Sequence, residues 1–202
     1  MKHTLVFSLA ICVASKSVAA EKVTFERWSY GAWTVRKYEY VEFDSYGCEV
    51  WTGNDGGAGV FAIDVTDGGA EVTITYTPAN LRDSAGPMTP GDPVILIVDS
   101  LILPISTKIE VGAFQNDWSD SEFSALAHNA FVTETIDALR AGDLVEVGVQ
   151  HAGQFMIYDV FSLYGVTATW LKASEWCGFD PDRPLVSTSP QIAPSDIAEG
   201  AF

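Results

Sequence analysis

Between Trp33 and Leu163 the chain is written mostly in a two-residue period. Trp33–Phe43 alternates in part, with Val35 against Arg36 and Tyr40 against Glu39. Glu71–Thr77 alternates strictly: Val72, Ile74 and Tyr76 point one way and Thr73 and Thr75 the other, as a half-buried strand requires. Gly59–Val65 is an apolar-rich strand, and Asp67-Gly68-Gly69 between the two predicts a hairpin turn. Val94–Val98 and Leu101–Ile105 are two more apolar runs split by Asp99-Ser100, a second turn. Lys108–Phe114, Asp143–Gln150 and Gln154–Leu163 also read as strands, the last two joined through His151-Ala152-Gly153. The Pro78–Pro93 stretch, with four prolines, reads as a loop, and Gln115–Glu122 as a polar loop.

Two segments switch to the helical period. Thr133–Arg140 has Thr133 or Thr135 to cap its start, Glu134 and Asp137 toward the positive dipole end, and Gly142 as a left-handed stop. In Val166–Cys177 the positions Val166, Trp170, Ala173 and Cys177 recur at steps of four, three and four, which is one helix face. Gly165 precedes it, and Gly178 and Pro181 end it. Many short strands, frequent turns and two short helices predict a mostly β single domain, a β-sandwich or flattened barrel.

The two ends of the chain carry a different composition. Residues 1–20 hold Lys2 and His3, an apolar run from Leu5 to Val13, and small residues at Val18 and Ala20. That pattern predicts a secretory signal peptide cleaved before Glu21. Its apolar run is too short to span a bilayer, and no later stretch reaches that length, so the chain is not read as an integral membrane protein. From Asp180 to Phe202 the sequence is rich in proline and serine and poor in large apolar residues, which predicts a disordered tail. The domain thus occupies 21–179.

Loss of residues 1–20 removes Lys2 and Lys16 and no acid, taking 202 residues to 182 and the net charge from −16 to −18. A field of that sign repels nucleic acid and anionic membrane surfaces and excludes nucleic acid as a partner. It also removes Cys12, leaving Cys48 and Cys177, and an even pair in an exported chain predicts a disulfide. Closing a loop of about 130 residues is worth on the order of 4–5 kcal/mol in the chain-entropy view.

Catalytic patterns are missing. There is no Gly-x-Ser-x-Gly elbow and no His-Glu-x-x-His helix. His128 and His151 are the only histidines after residue 20. Gly56–Asp64 fails as a calcium repeat because Phe61 takes a ligand position, and Asp117–Glu122 lacks the glycine and distal glutamate of an EF-hand loop. Asp64 with Asp67, or Glu134 with Asp137, are carboxylate pairs of a kind common in so acidic a chain. No catalytic residue, metal set or cofactor is therefore assigned. The candidate binding patch is Trp176 with Phe179, read as exposed aromatics at the end of the last helix.

Several segments together resemble the invasion-associated locus B family of exported bacterial proteins. They are the leader, Trp33-Thr-Val-Arg36, the Glu134–Val149 segment and Phe161–Leu171, in which a strand ends in Leu-x-Gly and a short helix begins. The similarity runs from Trp28 to Cys177. Where that family carries a cysteine after the early tryptophan motif this chain has Arg36-Lys37, so its disulfide pattern differs. The resemblance implies a compact β-sandwich, export to the periplasm or beyond, no known catalytic residues and a link to host-cell invasion. The sequence reading is thus an exported, non-enzymatic protein that binds an unknown protein or envelope component, and the resemblance adds an association with host interaction. The alternatives are a periplasmic hydrolase using carboxylates or His151, and a small-ligand carrier.

The leader makes a direct prediction. Protein recovered from the periplasm or medium of an expressing bacterium should begin at Glu21 by N-terminal sequencing and intact mass. An N-terminus at Met1 would overturn the export reading.

Overall fold

The computed structural model describes residues 22–41, 45–53, 59–69, 71–77, 94–106, 110–116, 119–127, 132–151 and 153–183. The leader, the Pro78–Pro93 loop, His128 and the chain beyond Arg183 lie outside the described residues. The elements in order are β1 (Lys22–Tyr30), β2 (Trp33–Tyr40), β3 (Ser45–Gly53), β4 (Val60–Thr66), β5 (Glu71–Thr77), β6 (Val94–Val98), β7 (Leu101–Ser106), β8 (Glu110–Asn116), β9 (Ser119–Ala127), α1 (Val132–Ala141), β10 (Leu144–His151), β11 (Gln154–Ser162) and α2 (Val166–Cys177).

The strands form two antiparallel sheets. One has seven strands in the order β1-β2-β3-β4-β5-β9-β8, the other four in the order β11-β10-β6-β7. Both sheets are open, so the architecture is a β-sandwich and not a closed barrel. Among the described residues no helix is long and apolar enough to cross a membrane.

Alternation explains which face of the large sheet is inside. Trp33 and Val35 on β2, Cys48 and Val50 on β3, Phe61, Ile63 and Val65 on β4, and Val72, Ile74 and Tyr76 on β5 are buried. They share one face in the cross-strand register. Two covers divide that face. α2 lies over β1, β2 and β3, burying Val166, Thr169, Trp170 and Ala173. The small sheet meets it at β4 and β5, where the Phe161 ring lies 6.2 Å from Phe61 and 6.5 Å from Tyr76. α1 buries Val132, Thr135, Ile136 and Leu139 and packs beside α2.

The seam between the covers is built from backbone. Gly31, in the β1–β2 turn, and Gly165, at the start of α2, both have left-handed φ, +60° and +109°. A Cβ on Gly31 would lie 2.2 Å from the Tyr164 carbonyl oxygen, and one on Gly165 would lie 2.0 Å from that of Tyr30. The two turns therefore touch through positions that only glycine can fill. Around them Ala32 donates its N–H to the Tyr164 carbonyl (2.9 Å) and Trp33 donates Nε1–H to that of Ser162 (2.8 Å).

Three expectations need correction, and one strand was not expected. The Gln115–Glu122 stretch, read as a polar loop, contributes the end of β8 and the start of β9, which pair with each other. A strand that the alternation hid, β1, precedes Trp33. A bulge between Thr24 and Glu26 shifts its phase, so its side chains do not keep one period. Gly142 is not a left-handed stop; its φ is negative, and it is needed because a Cβ there would lie 2.5 Å from Val98 Cγ1. The tail expected from Asp180 begins with a docked turn: Arg140 donates to the Pro181 carbonyl at 3.1 Å and to Asp182 at 3.0 Å, and Trp170 Nε1 donates to the same carbonyl at 3.3 Å.

The seam predicts unequal glycine sensitivity. Gly165→Ala should destabilise by about 3 kcal/mol, from a left-handed φ plus contact with backbone that cannot swing away. Gly153→Ala, at φ +79° with nothing within 4 Å of its Cβ, should cost about 1 kcal/mol. Urea midpoints for the two variants would show it, and equal losses would refute the seam's role.

Candidate functional site

Cys48 on β3 and Cys177 at the end of α2 are joined, Sγ to Sγ 2.02 Å with Cα atoms 6.1 Å apart. Cys48 points inward in register with Lys37 on β2, and the buried stripe of α2 ends on its partner. Gly178 then turns the chain through a left-handed φ of +70° and donates its N–H back to the Ser174 carbonyl.

That turn decides the fate of the predicted aromatic patch. It folds Phe179 back onto the helix, where its ring lies 4.8 Å from Trp170 and the residue is buried. The expectation of an exposed Phe179 is corrected: it is a core residue. Trp176 is half-buried and lines a groove of about 440 Å³ with Lys37, Ser45, Tyr46, Gly68 and Glu175, the disulfide forming part of its wall. The groove exists because α2 stops at Cys177 while the inner face of β2 and β3 continues. Lys37 and Tyr46, which would otherwise lie under a helix, are left uncovered.

The groove is aromatic and mixed in charge. Lys37 Nζ sits 5.9 Å from the Tyr46 ring centroid and Lys172 Nζ 5.5 Å from that of Trp176. Glu175 accepts from Lys172 at 2.8 Å. Tyr46 is half exposed, and Phe25 extends its aromatic surface toward β1, with ring centroids 6.5 Å apart. Amphipathic rings beside a few fixed charges suit recognition of another molecule. Sequence reasoning missed Tyr46 and Lys37. The signal was present: Tyr46 lies two residues before Cys48 and so shares its face, and a bridge to Cys177 must bring that face to Trp176.

Asp64, the Glu134–Asp137 pair and His151 lie on three separate elements. Asp64 lies on the outer face of β4 and accepts a hydrogen bond from Tyr38. Glu134 and Asp137 lie exposed on α1, with Asp137 4.0 Å from Arg140. His151 ends β10, on the other sheet from Asp64. Among the described residues no group of three or more His, Cys, Asp or Glu side chains could hold a metal ion. One carboxylate does enter the sandwich. Asp159 accepts the Tyr76 hydroxyl and the Gly59 N–H, the latter at 3.1 Å. Burial, then the Asp159 hydrogen bond, pushes the Tyr76 hydroxyl far above its ordinary range, so this phenol is a structural donor that keeps its proton.

No protein-family model matches the chain, and neither a curated protein nor a solved structure does.

The bridge carries a quantitative expectation. Cys48→Ser with Cys177→Ser should lower unfolding free energy by about 2–5 kcal/mol. Alkylation of the folded wild-type protein without reductant should label neither cysteine. Two labelled thiols would overturn the assignment.

Proposed function

We propose that this chain is an exported, non-enzymatic binding protein of the invasion-associated locus B type, whose groove beside the disulfide seats part of a protein or envelope component. The observation that carries the reading is the groove itself, where Trp176 and Tyr46 stand with Lys37 on sheet surface that α2 leaves uncovered. A volume of about 440 Å³ suits one or two side chains or a chain end, not a folded domain, so the groove serves as an anchor within a wider contact. Rigidity favours the same reading. The groove's wall includes Cys177, tied by the disulfide to Cys48 on β3, and its floor is hydrogen-bonded β2 and β3 strand, so less ordering is needed when a partner enters.

The leader and the cysteine pair support export, and the sequence similarity supports the family. The link to host interaction rests on that similarity alone.

A photo-crosslinking side chain at position 175, exposed at the groove rim, tests the function in the native envelope. One at position 137 on α1 serves as control. A specific adduct should form from position 175 and not from 137, and should fall at least about tenfold with Trp176→Ala or Tyr46→Ala, as for a central aromatic anchor. An adduct indifferent to both substitutions, or no adduct, would overturn the proposal.

A further inference from the structure

The small sheet presents an unusual outer face. In β10 the buried positions are Val145, Val147 and Val149, which sends Leu144, Glu146, Gly148 and Gln150 outward. Register then builds the outer surface row by row. Val160, Glu146, Ile97 and Ile102 lie side by side across four strands, and Ile157, Gly148 and Ile95 form the next row. The Phe155 ring lies over Gly148, where a Cβ would meet it at 2.1 Å. The bulge between Val147 and Gly148 shifts the phase of β11, which is why Ile157 and Val160, an odd and an even position, both face outward. Phe155, Ile157, Val160, Ile102 and Leu144 are between 45% and 55% exposed. Contiguous apolar surface of this kind, within an otherwise highly charged chain, marks an interaction site.

Charge decides what covers it. β6, β7, β10 and β11 contain no Lys or Arg. Glu146 is the one charged residue in the rows above, flanked by Val160 and Ile97, and no described cation pairs with it. A second copy packed face to face would bury both Glu146 carboxylates with no Lys or Arg from the strands of either sheet to pair them. An anionic bilayer would meet both this carboxylate and a chain of net charge −16.

We propose that the outer face of the β11-β10-β6-β7 sheet docks a cationic amphipathic segment of a partner, its apolar stripe on Phe155, Ile157 and Val160 and a Lys or Arg at Glu146. Desolvation by the surrounding apolar side chains makes that ion pair directional, since Glu146 is the one point in the rows where a cation is rewarded and an acid repelled. The face lies on β10 and β11, away from the groove on β2, β3 and α2, and the two surfaces are independent.

A Leu/Lys amphipathic helical peptide of roughly 18 residues, with its Leu/Glu counterpart as control, serves as the probe on the whole purified chain with its disulfide intact. Fluorescence anisotropy should show the Leu/Lys peptide bound and the Leu/Glu peptide not. Glu146→Gln and Ile157→Ser should each weaken binding roughly tenfold, with Val160→Ser as a second exposed apolar variant. Asp137→Asn, which removes the same charge from α1, should leave it unchanged. Equal weakening by Asp137→Asn and Glu146→Gln would mean attraction to the overall field and overturn the proposal. So would a dimer in sedimentation that Ile157→Ser dissociates, or Ile157-dependent binding to phosphatidylglycerol vesicles.

Discussion

The contact between the Gly31 and Gly165 turns sets the arrangement of everything that covers the large sheet. β11 runs into α2 through the three residues Leu163–Gly165, so one short link fixes both the small sheet and the helix. Its position is held by backbone. The Tyr164 carbonyl accepts from Ala32, and each glycine stands where any side chain would strike the other turn. The Trp33 indole, fully buried, reaches the Ser162 carbonyl from the opposite side. A 12-residue helix would be marginal in isolation. Here it is pinned at its first turn by this seam and at its last residue by Cys48, with Trp170 buried between.

The groove follows from that double attachment. The disulfide fixes where α2 ends, and the Gly178 turn sends the chain back along the helix instead of onward over the sheet. The Pro181 carbonyl, held by Trp170 and Arg140, completes the return. The strip of inner face holding Lys37 and Tyr46 is therefore left without a cover by the same bond that supplies one wall. Phe179 is buried while Trp176, three residues earlier, stays half-buried at the groove, because a left-handed glycine lies between them.

Period and punctuation made most of this legible. Strict alternation in 71–77 and the four-three-four spacing in 166–177 survive in the structure because each element buries a single face. The reading fails where a bulge changes phase, as at Thr24/Glu26, since two half-patterns of opposite parity cancel and β1 vanishes from the pattern. It fails again at β9, whose Ser119-Asp-Ser-Glu122 start has the polarity of a loop. Of the site, Trp176 and both cysteines could be read along the chain. Lys37 and Tyr46 could not be placed until strand register was known, because their role depends on what α2 fails to cover. Phe179 was misplaced because composition does not reveal the direction a chain takes after a helix.

Charge separates the molecule into two unlike halves. The hairpin of β1 and β2 carries Lys22, Arg27, Arg36 and Lys37 against Glu26 and Glu39, a net of +2 within a chain of −16. On its outer face Arg27 and Arg36 lie over the Trp51 ring at 5.1 and 5.4 Å, and Arg36 also pairs with Glu49 at 2.5 Å. The small sheet has no cation in any strand. Fold stability does not require this segregation, since surface pairs contribute little wherever they sit. What it does is set the local charge beside each proposed surface: four cations on the hairpin next to the groove, and no Lys or Arg in the strands of the apolar face. Sequence positions far apart in the chain thereby give one small domain two surfaces of unlike charge, and membership of different sheets keeps them on separate layers.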